Sequence, residues 1–182
     1  DMRAAAARAP EAVSVGTAAG HLSDDHFVLL AFEQAAGVSV LHSPYNGTPL
    51  VIRDLLSGTV DVAAYNLSEG IALLREGRTR CLGQAATERW QPMAEVPTFR
   101  EQGLEVVGGS ARGMVGPPAL PAEITARLVA AFADIFADPG FLRDAAVLEA
   151  PLRPLLGDAY RAAVEEEAAR LRMLHARMRP AR

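Results

Sequence analysis

The 182-residue chain has no lysine; all eighteen of its basic residues are arginine, a usage that a GC-rich coding bias favouring alanine also explains. Its one cysteine, Cys81, excludes an internal disulfide. The apolar setting Arg80-Cys81-Leu82-Gly83 reads as an inert core thiol. No apolar run is long enough to cross a bilayer. Gly-x-Ser-x-Gly and Gly-x-Gly-x-x-Gly are both missing, which removes the nucleophile elbow and the dinucleotide fingerprint. A net charge of −4 argues against general affinity for nucleic acid. No export signal is visible, and the opening at Asp1 rather than methionine is consistent with processing or excision from something longer.

Half of the residues are hydrophobic and 22% are charged, which fits a folded protein of one ordinary domain or two small lobes. Period and punctuation give a regular alternation. A short helix over 2–8 stops before Pro10. Strands are expected at 12–16, 39–43, 60–65, 80–86 and 104–107. Helices are expected at 24–36, ended by Gly37, at 49–57, at 68–76 and, briefly, at 98–102. This order predicts an α/β fold with a parallel sheet flanked by helices. After Gly116-Pro117-Pro118 the pattern becomes purely helical, with amphipathic segments starting near Pro121, Pro139 and Asp158, the last running to Arg177. The expected organisation is a remnant helix or linker over 1–11, an α/β ligand-binding lobe over 12–113, and a crossover with C-terminal helices over 114–182.

Open parallel sheets bind ligands at the carboxyl ends of their strands. Three loops there are polar: 16–23, 44–48 and 65–68. The first, Gly16-Thr17-Ala18-Ala19-Gly20-His21-Leu22-Ser23, joins a strand to a helix. Small residues allow close approach, and the N–H groups of a helix start point outward. Between Val13 and Gly70 the only cation is Arg53, within a helix. A carboxylate would therefore be held by loop N–H groups, hydroxyls, amides and bridging water. The candidate ligand residues are Gly16, Thr17, Ala18, Ser23, Tyr45, Asn46, Gly47, Asn66 and Ser68. Arg112 is the best-placed cation outside the loops, able to meet a ligand carboxylate but read first as a salt bridge between segments, and Asp61 reads as structural.

His21, Asp24, Asp25 and His26 resemble a metal set by composition. Asp24, Asp25 and His26 are adjacent at a helix start, however, where side chains fan out and do not converge. Acids there serve as caps and dipole partners. No metal, cofactor or catalytic residue is expected.

Several further segments share an order. They are Gly16-Thr17 through Ser23-Asp24-Asp25-His26, Ser43-Pro44-Tyr45-Asn46-Gly47, Leu55-Leu56-Ser57-Gly58-Thr59-Val60-Asp61, and Asn66-Leu67-Ser68-Glu69. Glu95-Val96-Pro97-Thr98-Phe99-Arg100-Glu101-Gln102-Gly103 and Gly109-Ser110-Ala111-Arg112-Gly113 with Gly116-Pro117-Pro118 complete it. In this order the chain resembles the substrate-binding proteins of the tripartite tricarboxylate transporter family, called Bug or TctC proteins. The resemblance implies a type II periplasmic-binding-protein-like lobe. It also implies a periplasmic protein, not an enzyme, that captures a small organic carboxylate and delivers it to membrane-embedded transporter subunits. It implies a monomer when the first lobe is present. The match begins near the middle of the family pattern, so most of the first lobe is expected to be missing, and the C-terminal helices would pack on it. Asn46 stands where many relatives carry lysine, and His21-Leu22 replaces the usual small residues.

Two other readings remain. The effector-sensing domain of a LysR-type regulator shares a similar fold and comparable Gly-x-Val-Asp segments. An α/β enzyme acting on a carboxylate would use His21 or His26.

Overall fold

The computed structural model describes residues 2–176. The chain divides into two compact units, Asp1–Ser110 and Ala111–Arg182. In the first, helix α1 (Met2–Ala6) precedes strand β1 (Ser14–Thr17), and helix α2 (Asp24–Ala36) leads to strand β2 (Leu41–Pro44). Helix α3 (Thr48–Leu56), strand β3 (Val62–Ala64) and helix α4 (Leu67–Arg75) follow. The three strands form one parallel sheet in the order β2-β1-β3. In register, Val15 stands beside His42 on one side and Val62 on the other. The α/β architecture with a parallel sheet is therefore the one expected.

Local chemistry explains the best-placed helix. Ser23 accepts the His26 N–H at 3.2 Å and so caps α2. Gly37 then ends it in the left-handed region at φ 67°, donating its N–H to the Glu33 carbonyl. Leu29 packs with Ala6, Val13, Val15 and Val40, and Phe32 and Ala36 pack with Leu104 and Val106. At the amino end of the sheet, Ser14 donates to the Asp61 carboxylate through its N–H (2.9 Å) and its hydroxyl (2.7 Å). Asp61 returns its own N–H to the Ser14 hydroxyl oxygen at 3.0 Å. This ring of bonds joins the starts of β1 and β3, and the backbone and side-chain bonds hold the Asp61 carboxyl below its usual range.

Two expected strands do not form. Segment 80–86 contributes only an isolated bridge between Gln84 and Thr98. Gln84 donates its N–H to the Pro97 carbonyl and accepts from the Phe99 N–H, but Pro97 itself has no N–H to extend the ladder. The Gln102 side chain occupies the Leu82 carbonyl. Over 104–107 the Val106 N–H turns back onto the Leu104 carbonyl at 2.8 Å, a local bond that competes with strand pairing. Apolar alternation was correct as a sign of burial, since Leu104 and Val106 are core residues. It was wrong as a sign of a ladder. The short helix expected at 98–102 is a 3₁₀ turn, Arg100–Gln102, and a second such turn covers Gln91–Met93.

The second unit consists of helices α5 (Ala122–Ala137), α6 (Pro139–Val147) and α7 (Gly157–Ala176). Asp138 caps α6 by accepting the Phe141 N–H at 2.8 Å. The apolar stripe expected on α5 is present but uncovered: Ile124, Leu128 and Ile135 are all exposed. Neither α5 nor α7 contains a buried residue among those described. The expected end of the last helix at Arg177 lies outside the described residues, as does the rest of 178–182. No described helix is long and apolar enough to cross a membrane.

Candidate functional site

Three parallel strands direct three loops to one edge, and hydrogen bonds hold those loops together. The Tyr45 N–H donates to the Thr17 carbonyl at 2.9 Å, and the Gly47 N–H donates to the Ala18 carbonyl at 2.6 Å. Ala19 and Asn46 form an antiparallel bridge. From the third loop, the Asn66 side-chain amide donates to the Ser110 hydroxyl at 3.2 Å, and that hydroxyl donates to the Asp24 carboxylate. The starts of α3 and α4 are linked by a 3.0 Å bond from the Thr48 hydroxyl to the Glu69 carboxylate. The nine candidate residues thus lie at the carboxyl edge of the sheet.

Many of their polar groups are already engaged. Thr17 is completely buried, and its hydroxyl lies 2.8 Å from His42 Nε2. The Ser23 hydroxyl donates to the Gly20 carbonyl at 2.9 Å in addition to capping α2. The Tyr45 phenol donates to the Asp54 carboxylate at 2.9 Å. A Cβ built on Gly16 would lie 2.4 Å from Val51 Cγ2 and 3.1 Å from the Tyr45 ring, so this glycine admits a helix rather than open space. Asn46 is exposed, and Ser68 is half-buried in the first turn of α4. No side chain caps either α3, at Gly47, or α4, at Asn66.

The glycine-rich loop already faces an anion of its own. Ala18 donates its N–H to the buried Asp25 carboxylate at 3.2 Å. Burial and the neighbouring Asp24 charge push the Asp25 carboxyl up to about 6. Asp24 and Asp25 are therefore not simple dipole partners. Asp24 receives the Ser110 hydroxyl, and Asp25 closes the loop from inside. Arg112 belongs to the second unit and is exposed.

Three histidines gather beside this loop. The His26 and His42 rings stack at 4.0 Å with 16° between their planes. His21 meets them edge-on at 5.5 and 5.0 Å. Asp24 and Asp25 do not join this group, as expected of a helix start, but His26 does converge with residues from elsewhere. His42 was missed because it lies on the next strand. The available signal was that a β1–α2–β2 unit puts β2 beside β1, where alternate residues reach the start of α2.

Burial, then the neighbouring His26 and His21 rings, lower His42 to about 4. The unfolded chain therefore binds a proton between about pH 6.5 and pH 4 that the folded chain refuses. The resulting stability is present above pH 6.5 and is lost as pH falls toward 4. Discounted for a ring that is only part-buried, it amounts to about 1–2 kcal/mol. Asp25 works in the opposite sense, gaining stability as pH falls from about 6 toward 3.8. Denaturant unfolding of His42→Gln and the parent protein, both in chelator, isolates the histidine term. The parent should lose stability relative to the variant as pH falls from 7.5 to 4.5, and a parallel pair of curves would contradict it.

A profile of the tripartite tricarboxylate transporter family receptors matches residues 2–164. A UPF0065 protein of Pseudomonas sp. (strain P51) is 29% identical over 118 residues, 63% of this chain and 34% of that protein. A TctC solute-binding protein from Polaromonas superposes with TM-score 0.82 at 24% identity, covering 97% of this chain and 60% of that one. An R. palustris protein solved with adipate gives 0.75 at 24% identity, covering 95% and 58%. MatC from Rhodopseudomonas palustris with bound malate gives 0.69 at 24% identity, covering 89% and 56%. The chain thus spans about a third of the curated relative and under two thirds of the solved chains. The fold is periplasmic-binding-protein-like, and the regulator alternative finds no support in these matches. With its profile matched across nearly the whole length, the chain belongs to the tripartite tricarboxylate transporter receptor family.

Proposed function

We propose that this chain forms the second-lobe part of a periplasmic solute-binding protein that captures a small di- or tricarboxylate for a tripartite tricarboxylate-type transporter. The observation that carries this reading is the gathering of three loops at one sheet edge, two of which open uncapped helices. The first-turn N–H groups of Thr48 in α3 and of Leu67 and Ser68 in α4, with the partial positive charge of the helix starts, suit a carboxylate in a region poor in cations. The solved relatives holding adipate and malate support that ligand class.

Within the reading, Ala18 and Ser23 support the loop, Gly16 and Thr17 set its position, and Tyr45 forms a wall. Asn46, Asn66 and Ser68 are the groups that meet the ligand, and Gly47, whose N–H is taken by the Ala18 carbonyl, ties the second loop to the first. The uncovered apolar helices of the second unit suit packing on a first lobe, in a protein that works as a monomer and delivers its ligand to membrane-embedded subunits. Binding and release need no bond cleavage, so the protein acts as a receptor rather than an enzyme, and its negative charge suits no nucleic acid.

Introducing a charge at Asn46 tests the site with little risk to the fold, because the residue is exposed. Calorimetry with malate, adipate and citrate, on this chain and on any longer form of the protein, should show binding of at least one. Asn46→Asp should weaken it about tenfold, equivalent to about 1.4 kcal/mol, and Asn46→Lys should strengthen it. Failure of every organic anion to bind the longer form would defeat the proposal.

A further inference from the structure

We propose that His21, His26 and His42 form a site for one late first-row transition-metal ion, of the zinc, nickel or copper class, beside the glycine-rich loop. The three side chains come from the loop after β1, the first turn of α2 and strand β2, and one nitrogen from each lies within 4.8 Å of the others. Three of the chain's four histidines meet here. The donors are all imidazoles, which select these ions over magnesium or calcium. Nearby carboxylates are engaged elsewhere, Asp24 by Ser110 and Asp25 by Ala18. This assignment is independent of which carboxylate the protein carries.

Coordination at about 2.0 Å sets the nitrogens about 3.3 Å apart, so the three, now within 4.8 Å of one another, must draw together. Imidazoles around one tetrahedral zinc, with nitrogens about 2.0 Å from the metal, place their ring centres about 5 Å apart. The His21–His42 and His21–His26 separations of 5.0 and 5.5 Å match that spacing. The His26–His42 stack at 4.0 Å is tighter and its rings must splay. His42 is already oriented: its Nε2 faces the Thr17 hydroxyl, a hydrogen bond that leaves Nδ1 for the metal. His21 is exposed, so a three-histidine ion keeps an open fourth position toward solvent.

His26 imposes a condition. Its Nδ1 accepts the Leu22 N–H at 2.9 Å, which puts the proton of a neutral ring on Nε2. Coordination through either nitrogen breaks that hydrogen bond. Coordination through Nε2 needs the proton on Nδ1, facing another donor, and coordination through Nδ1 displaces the amide directly. Leu22 holds an unfavourable positive φ of 58°, so the segment released is a strained one. Metal binding therefore resets the turn that leads into the Ser23 cap.

The test uses the whole chain after chelator treatment. Zinc chloride titrated by calorimetry at pH 7.5 should bind at one ion per chain. Cobalt(II) should give the intense visible bands of a tetrahedral site. His21→Ala, which removes an exposed side chain, should weaken zinc binding at least tenfold, as should His42→Gln. His175→Gln, outside the cluster, should leave binding unchanged. The Leu22 amide should shift in ¹⁵N NMR spectra on zinc addition. Absence of saturable binding, or equal affinity in His21→Ala and the parent, would overturn the proposal.

Discussion

Gln84→Leu should remove about 3–5 kcal/mol of folding stability, a large share of the 5–15 kcal/mol available to a typical domain. The residue is 6% exposed, and both amide hydrogens and the carbonyl oxygen of its side chain are engaged. Its amide nitrogen donates to the Met93 carbonyl at 2.9 Å and the Val96 carbonyl at 3.0 Å, and its oxygen accepts the Trp90 N–H at 2.9 Å. Leucine has nearly the same volume but satisfies none of these three backbone groups. Each buried orphan costs about 1–3 kcal/mol, because the group gave up water on folding. The turn Gln91–Met93 and the Ile71-Met93-Val96 core cluster depend on these bonds. Urea unfolding of parent and variant measures the difference directly. A loss below about 1 kcal/mol would show that the loop relaxes and rehydrates its backbone.

Gly16→Ala should cost about 2–3 kcal/mol, at the upper end of overpacking penalties. The methyl group would arrive 2.4 Å from Val51 Cγ2, closer than real carbon atoms approach, and Val51 is completely buried. Neither partner can step aside without moving α3 off the sheet or displacing the Tyr45 ring, whose phenol holds Asp54. Gly16→Val should be worse, by more than about 3 kcal/mol. A double-mutant cycle separates this steric account from a loss of local flexibility. Val51→Ala alone should be destabilising, yet with Gly16→Ala present the pair should recover at least about 1 kcal/mol of the summed losses. Strict additivity would place the clash elsewhere.

The helices were legible where both ends carried local signals. Helix α2 runs from Asp24 to Ala36 as expected, because Ser23 and Gly37 act on their own neighbours through bonds a few residues long. Strands were harder to place. The apolar run 104–107 is buried as its composition demands, but whether buried backbone joins a ladder depends on what lies alongside it. There the Leu104–Val106 bond intervened. At 80–86 the partner segment begins with Pro97, a fact that matters only once the two segments are adjacent.

The same division applies to the site. The polar character of the three loops and their shared edge follow from strand-helix order and parallel pairing. What each polar group does there does not follow. Thr17 and Ser23 were candidates because a hydroxyl can meet a ligand, and the structure turns one toward His42 and the other onto Gly20. Asp25 looked like a dipole partner, and it fills the loop amide at Ala18.

The sequence alone therefore determined the α/β order, the two ends of α2 and the lack of cations around the loops, since these depend on residue type and short-range spacing. Tertiary structure alone decided which donors are occupied, that Gly16 admits Val51, and that His42 joins His21 and His26. Those outcomes depend on side chains distant in sequence competing for the same few ångströms, and no local pattern records the winner.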